Sequence, residues 1–191
     1  MRILRHDPQV RRFIWARGLL TSTALAPPYI VLLGAQAGQD TFDRLGALVL
    51  ASSFASFLSS WIWGRLADRS SRRVLMLSGA AGALALLGAV ALDLSGATTS
   101  IWALPAALFI LMIAYHGVRQ GRVIYLVDMA PSDQRAAYTA VSNTAIGLFL
   151  LGSGLFGAMA SLAGPHRTLV FFAGMALASI RATWGLDEVG P

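Results

Sequence analysis

Residues 63–73 (WGRLADRSSRR) concentrate charge between two of the most apolar stretches of the chain and hold one aspartate among four arginines. A carboxylate in such a turn can cap the helix that follows, or accept a charge-assisted hydrogen bond from an arginine or a neighbouring helix N-terminus. Gly64, just before the charges, permits two backbones to approach closely. These residue types favour Asp68 as a group with a specific partner.

Other patterns with chemical potential lack the context they need. Residues 152–157 (GSGLFG) match the dinucleotide pattern G-x-G-x-x-G, which requires a preceding strand and an acid about 20 residues later. Here the segment lies inside a charge-free run, and the next acid is Asp187. The three histidines are too far apart in sequence to form a local metal pair: they are His6, His116 and His166. We therefore predict no catalytic residue, metal site or cofactor, and a protein that is not an enzyme.

The composition is that of a membrane protein. Of the 191 residues, 56% are hydrophobic and 13% are charged, about half the charged fraction of a soluble domain. A membrane-spanning helix needs about 20 mainly apolar residues. Charge-free runs near that length cover residues 18–39, 45–64, 74–92, 94–118 and 136–165.

A sixth, shorter run begins at residue 168 and extends to about residue 184 if Arg181 reaches the membrane interface with its long side chain. With this run the sequence predicts an all-α, polytopic membrane protein with six transmembrane helices. The chain contains no cysteine, which excludes disulfides and thiolate metal sites.

The basic residues indicate the topology. All 15 are arginines, and one set of alternating segments holds 13 of them, whereas the other set holds only Arg44 and Arg167. This is the positive-inside asymmetry of membrane proteins, so we predict that both termini are cytoplasmic. The net charge of +6 then follows from topology, and no nucleic-acid partner is predicted.

Three parts are predicted along the chain. A cytoplasmic lead-in covers residues 1–17, a six-helix transmembrane domain covers residues 18–185, and a cytoplasmic tail covers residues 186–191. Apolar residues in the lead-in are compatible with an amphipathic helix that lies on the bilayer surface. The lipid bilayer is thus a predicted partner, and the predicted location is a bacterial cytoplasmic (inner) membrane.

Several helices carry further features. Pro27 and Pro28 lie near the middle of the first helix, where proline removes backbone donors and bends a helix. Small residues recur at helical spacing in residues 51–60 of the second helix, and glycines recur in residues 147–164 of the fifth. Such faces usually serve helix–helix contact.

The charged turn resembles the signature loop of the major facilitator superfamily, roughly G-x-L-x-D-R-x-G-R-[KR], which lies between the second and third helices of each six-helix half. The matching residues are Gly64, Leu66, Asp68, Arg69, Arg72 and Arg73. Ser71 stands where the family usually has glycine. Residues 128–135 (DMAPSDQR) resemble the family's D-x-x-P-x-x-x-R segment between helices four and five, through Asp128, Pro131 and Arg135.

The resemblance covers nearly the whole chain as one half of a transporter, more similar to a C-terminal half. Family members normally have two pseudo-symmetric halves of six helices. The resemblance therefore implies transport of a small-molecule substrate by alternating access, with the signature loops as gating latches. It also implies a partner, either a second six-helix half or a second copy in a homodimer.

The resemblance also implies which helices line the cavity, namely the first and fourth of each half. The candidate cavity residues on these helices are Thr21, Thr23, Tyr29, Tyr115 and His116. For each of them, a polar group satisfied within a helix interface is an equally good interpretation.

Two other functions are compatible with six spans. One is a membrane subunit that captures a small solute and depends on a separate ATPase to move it, which leaves both loop signatures unexplained. The other is a truncated or split half that transports nothing. An intact partner half encoded nearby would favour a transporter half over a truncated chain that transports nothing. An adjacent ATPase would favour the solute-capturing subunit.

Overall fold

The computed structural model of the chain describes residues 7–36 and 41–189, with side chains from residue 46 onward in the second range. Within these residues the secondary structure is helical, with no β-strand. Residues 1–6 of the predicted lead-in and residues 190–191 of the predicted tail lie outside this part. The elements are α1 (Pro8–Leu20), α2 (Ser22–Leu25), α3 (Pro27–Gln36), α4 (Thr41–Ala67), α5 (Ser71–Leu94), a 3₁₀ turn (Ala97–Thr99), α6 (Ala103–Met129), α7 (Arg135–Leu151), α8 (Gly154–Ala163) and α9 (Pro165–Trp184).

These elements form a bundle of six helices. Five stretches of the described chain are long and apolar enough to cross a membrane: Pro8–Gln36 (α1–α3), Gly46–Ala67 (in α4), Ser71–Leu94 (α5), Ala103–Met129 (α6) and Arg135–Ala163 (α7–α8). The sixth, α9, has 20 residues, or about 30 Å of helix, and packs along α5 and α1. Arg167 and Arg181 make it less apolar than the others. The predicted all-α, six-helix fold is confirmed.

The first span is interrupted twice. Pro27 and Pro28 have no backbone N–H to donate, and the break between α2 and α3 falls where these prolines predict it. A second break, at Thr21, has no such sequence signal. There the Thr21 N–H is shared between the carbonyl oxygens of Arg17 and Gly18, each at 3.2 Å.

The fifth span is also divided. The charge-free run 136–165 predicts one helix, whereas the structure has α7 and α8 with a tight turn between them. The N–H groups of Gly152 and Ser153 donate to the carbonyl oxygens of Phe149 and Leu150, three residues earlier, which is the 3₁₀ pattern. Glycine has low helix propensity, and a glycine on each side of Ser153 explains the break.

Helix α1 begins inside the predicted lead-in. Asp7 caps it, because its Oδ1 accepts from the backbone N–H of Gln9 at 2.9 Å and of Val10 at 3.3 Å. Pro8 fits the first helical position, where the missing N–H is not needed. Residues 8–17 are thus the first turns of the helix that leads into the first span, not a separate surface helix. The domain boundary at residue 18 stays a prediction.

Two apolar clusters form the interior. In the half of the bundle near the 3₁₀ turn, Leu86 of α5, Leu111 of α6 and Phe172 of α9 are fully buried. In the other half, Phe13 of α1 stacks on Tyr125 of α6 with ring centroids 5.2 Å apart. Close packing of such large side chains and stacking of aromatic rings stabilise the contacts between helices.

Glycines bring neighbouring helices close together. A Cβ on Gly79 of α5 would lie 2.5 Å from the Ser179 hydroxyl of α9, and a Cβ on Gly117 of α6 would lie 2.5 Å from the Trp63 ring of α4. A larger residue at either position would force the neighbouring side chain to shift, which is how small residues permit tight packing in membranes. Helices α4, α5, α6 and α9 therefore form a closely packed block.

Both ends of the described chain lie at one end of the bundle. Arg12 of α1 donates to the carbonyl oxygen of Gly185, just after α9, at 3.3 Å. Arg72, at the start of α5, donates to the carbonyl oxygen of Leu186 at 3.1 Å. We call this the arginine-rich end. An even number of crossings brings the two termini together in this way, as the six-span topology requires, and the side of the membrane on which they lie stays a prediction.

Candidate functional site

The turn between α4 and α5 is capped by a serine. Ser70 precedes α5, and its hydroxyl oxygen accepts from the backbone N–H of Arg73 at 3.1 Å. Asp68 is exposed and makes no ion pair with any cation in the described ranges. The capping role considered for Asp68 therefore belongs to Ser70. An added Cβ at Gly64 would meet no atom within 4 Å, so the close backbone approach expected there is not made.

One arginine of the turn has an acidic partner. Arg72 Nη2 lies 2.6 Å from Glu188 Oε2, and the Ser70 hydroxyl donates to the other oxygen of the same carboxylate. Arg65 lies over the Trp61 ring, 4.6 Å from its centroid, a cation–π contact. Arg69 is exposed, and Leu66 is half-buried with its carbonyl oxygen accepting from the N–H of residues 69 and 70.

The segment 185–189 is the part of the site that sequence patterns did not reveal. The Tyr125 hydroxyl of α6 donates to the carbonyl oxygen of Asp187 at 3.1 Å, and Leu186 is only 2% exposed. Together with Arg12 and Arg72, these contacts join three helices to the chain end. Two acids shortly after a helix whose last turn holds an arginine are a weak signal for such a segment.

The second signature turn lies at the same end of the bundle. Asp128, Pro131 and Arg135 are all exposed and make no ion pair among the described residues. Three residues into α7, the Tyr138 hydroxyl donates to Asp7 Oδ2 at 2.9 Å. Since the other oxygen of Asp7 caps α1, one carboxylate links the starts of the first and fifth spans.

Three of the predicted cavity residues lie in helix packing. Thr23 is fully buried and donates to the carbonyl oxygen of Leu20 at 2.8 Å. Thr21 is half-buried and donates to the carbonyl oxygen of Gly18. Tyr29 is half-buried with its ring edge against Phe172, centroids 5.4 Å apart. The structure does not bring these three side chains together with the other two candidates.

The remaining candidates, Tyr115 and His116, are adjacent on α6, and their rings meet edge to face with centroids 5.3 Å apart. His116 lines a groove of about 540 Å³ between α4 and α6, which we call the α4–α6 groove. Three serines of α4 form its other wall: Ser56, Ser59 and Ser60.

Two arginines of α6 also line the α4–α6 groove, Arg119 and Arg122. Neither has an ion pair or side-chain hydrogen bond in the described part of the chain. With His116, they recur at intervals of three residues, so they share one side of the helix. That spacing is visible in the sequence, and it would have extended the single prediction of His116 to a basic face.

A buried arginine joins the first and fifth spans. Arg17 is 8% exposed, and its two terminal nitrogens donate to Ser142 Oγ at 2.7 Å and to Asn143 Oδ1 at 2.9 Å. Its Nε has no partner in the structure as described. Both acceptors are uncharged, so the positive charge is hydrogen-bonded and not neutralised.

At the opposite end of the bundle, one polar pair crosses between α5 and α9. Asp93 Oδ2 lies 2.7 Å from His166 Nδ1, which ties the last turn of α5 to the first turn of α9. In the described ranges no group of three His, Cys, Asp or Glu residues is placed to hold a metal ion.

A sequence profile of the Major Facilitator Superfamily matches residues 16–189. The chain belongs to the major facilitator superfamily. The match begins within α1, covers the other helices and includes both signature turns, which agrees with the resemblance in those turns. This superfamily chain is an integral membrane protein folded as one six-helix half bundle.

A curated relative gives the scale of the superfamily match. Multidrug resistance protein MdtG of Dickeya zeae (strain Ech586) is 31% identical over 150 residues, which are 75% of this chain and 34% of the relative. The chain therefore spans about a third of the length of that relative. No solved structure matches the chain.

Proposed function

We propose that this chain is one six-helix half of a secondary transporter, which moves a small solute by alternating access together with a second six-helix unit. The observation that carries the proposal is the exposure of the fifth span. In α7–α8, 6% of the most apolar stretch is buried within the bundle, against 56% in α5. A span with so few contacts of its own is available to a partner.

The residue types on this span favour a protein partner over lipid. Thr139 and Thr144 of α7 are exposed, and an added Cβ at Gly147, Gly154 or Gly157 would meet no atom within 4 Å. Hydroxyl groups and glycines are enriched where membrane helices contact one another. The exposed serines of α4, such as Ser53 and Ser56, extend the same character to the second span.

The length of the relative supports the same conclusion. A cavity that opens alternately to each side needs two facing walls, and superfamily transporters build them from two six-helix halves. The region of this chain that matches MdtG corresponds to 34% of the length of MdtG. In the proposal, the bundle of this chain supplies one of the two walls. Because the relative is named for multidrug resistance, we propose that the solute of this chain is a small molecule.

The arginine-rich end supplies elements for gating. Arg72 pairs with Glu188 in this arrangement, whereas Asp68 is exposed. In our proposal these turns face the cytoplasm of a bacterial inner membrane, and Asp68 pairs with a helix end in one state of the cycle and is released in the other. Such exchange of partners biases a two-state equilibrium.

Photo-cross-linking tests for the partner. A cysteine introduced at Gly154 or Ser56 and coupled to a maleimide–diazirine reagent should, on illumination of membranes, yield a covalent product with a second six-helix unit. Gly154 accepts a side chain without a clash. Leu84→Cys, an exposed position on α5, which is a different helix from those of Ser56 and Gly154, is the matched control and should yield little product.

Reconstitution tests the need for that partner. We expect liposomes containing only cross-link-free monomer to take up no member of a panel of anionic, neutral and cationic fluorescent solutes. A bulky Gly154→Trp change should weaken assembly before it weakens membrane insertion. Solute uptake by the monomer, or equal cross-linking at position 84, would contradict the proposal.

A further inference from the structure

We propose that the α4–α6 groove binds a small organic anion through its arginines and serines. For its biological meaning this inference rests on the proposed transporter function, and it specifies the class of solute. The groove is about 540 Å³, within the general range of ligand pockets, roughly 300–1,000 Å³.

The charge of the groove has one sign. Arg119 and Arg122 make the groove cationic, and the residues that line it include no Asp or Glu. The ion pairs found in the described ranges lie elsewhere, at Arg72 and at His166. Unpaired guanidinium groups in a concave site are the groups that recognise carboxylates and phosphates, because their N–H donors match those oxygens in geometry.

A further arginine of the bundle, Arg17, is buried without an acidic partner among the described residues. Its guanidinium is buried and hydrogen-bonded only to neutral oxygens of α7. Burying charge without a counter-charge is costly. In the groove, an anion would supply the counter-charge that Arg119 and Arg122 lack among the described residues, which gives the groove a preference for negative ligands.

A buried hydroxyl supports a ligand independently of the charges. Ser59 lines the groove, is 1% exposed, and its Oγ has no hydrogen-bond partner in the described part of the chain. Buried polar atoms normally have partners, and a ligand oxygen would supply one. Val123 and Ile124 add apolar surface to the same groove, which suits an anion with an organic body.

The position of the groove favours a soluble anion over a lipid headgroup. Ser56 is exposed on α4 beside the groove, on the face that we propose meets the second unit. His116, a candidate cavity residue from the sequence, lines the groove directly. A site between these residues would face the space between two halves.

A matched pair of ligands tests the charge preference. The purified full chain in nanodiscs of phosphatidylcholine is titrated with 1-naphthoate and with neutral 1-naphthamide, using the quenching of tryptophan fluorescence. We expect naphthoate to bind at least about tenfold more tightly, the scale of a charge-assisted hydrogen bond. Equal affinities of wild type for the two ligands would overturn the inference, whatever the behaviour of any variant.

Variants then locate the binding. Arg122→Gln should weaken naphthoate binding about tenfold or more and leave naphthamide unchanged, while Arg122→Lys should retain most of the preference. Ser59→Ala should weaken naphthoate binding by a smaller factor. Arg167→Gln removes the same charge from an exposed position outside the groove and serves as the control. Wild-type binding by Arg122→Gln would overturn the assignment to this groove.

A lipid arm separates the two sources of an anionic group. Phosphatidylglycerol in the nanodiscs should leave naphthoate binding little changed, and its displacement of naphthoate would make the groove a headgroup site and overturn the inference. This binding experiment needs no second half. Binding without transport by any assembly would contradict the proposed function alone, and transport of neutral solutes only would contradict the anion inference alone.

Discussion

Glu188 and Arg72 form an ion pair at 2.6 Å that joins the end of the chain to the start of α5. Arg72 also donates to the carbonyl oxygen of Leu186, so the signature turn is fixed to the segment after α9 by a backbone and a side-chain contact. Asp68, four residues earlier in the turn, is exposed. The turn thus pairs Arg72 with an acid of the segment after α9, while its own acid, Asp68, is available for another state.

Replacing each acid by its amide should separate these roles. Asp68→Asn should leave expression and insertion nearly intact but reduce transport by the complete assembly at least about tenfold, since about 1.4 kcal/mol changes a population ratio by that factor. Transport is measured as efflux of the fluorescent solute panel. Unchanged transport would reduce Asp68 to a topology determinant.

Glu188→Gln should instead act on stability. Both side chains of its ion pair are partly exposed, 30% for Arg72 and 46% for Glu188, so the pair contributes at most about 1 kcal/mol. We expect a small fall in thermal unfolding temperature and faster proteolysis after residue 184. A large loss of stability would show that the segment carries more of the fold than this geometry indicates.

Single cysteines test the orientation, because the native chain has none. Arg69→Cys should be shielded from an impermeant thiol reagent in intact cells, and Ser95→Cys should react. Both positions are exposed, whereas Ser70 is buried and caps α5 and would make a poor probe. The reverse labelling pattern would contradict cytoplasmic termini.

The contribution of the Arg17 hydrogen bonds, which link the first and fifth spans, to the stability of the bundle should also be measurable. Asn143→Ala removes the acceptor of one Arg17 hydrogen bond and should cost about 1.5–3 kcal/mol of stability, the range for bonds to charged groups. Thermal unfolding in detergent gives the measurement. Thr144→Val, at the adjacent exposed position, should change stability little, and an equal loss in both variants would argue against a specific role for Arg17.

Gly117 offers a test of close packing. A methyl group there would meet Ser78 and the Trp63 ring, which is held by a 2.8 Å hydrogen bond from its Nε1 to the Ile113 carbonyl oxygen. Gly117→Ala should therefore destabilise the bundle by about 1–3 kcal/mol. Gly88→Ala, where the added Cβ meets open space, should be neutral or stabilising because alanine favours helix. Comparable effects at the two sites would show that the helices are free to adjust.

Hydrophobic length made the helices predictable. Crossing a membrane imposes a minimum apolar run, and the first five runs correspond to the five apolar spans. The division of the fifth span was harder to predict, because it depends on how Gly152 and Ser153 balance local turn bonds against helix continuation. The break at Thr21 likewise has no residue that forces it.

The cap of α5 shows why a residue type does not decide a role. Asp68 and Ser70 are both good capping residues. Ser70 is the cap because it directly precedes the helix and has an extended backbone. Ser70 has φ −169° and ψ 110°. That conformation follows from where α4 ends, which the sequence does not specify to the residue.

The rest of the site depends on contacts between distant parts of the chain. No pattern pairs Glu188 with Arg72 or Arg17 with Asn143, because these contacts require the packed bundle. The basic face of α6 could have been found, since His116, Arg119 and Arg122 share a helical spacing. That this basic face lines a groove could be seen only from the structure, which places α4 and Ser59 opposite it.

We expect the two groups of glycines to be under different selective pressures. An added Cβ at Gly79 or Gly117 would clash with a side chain of a neighbouring helix, so selection for a stable bundle alone would favour glycine at both positions. Gly154 and Gly157 have empty space around them in this bundle. In a lineage that has lost its second half, Gly154 and Gly157 should be replaced by larger residues, whereas Gly79 and Gly117 should be retained. The loss of the partner would then be visible in the sequence while the fold is still intact.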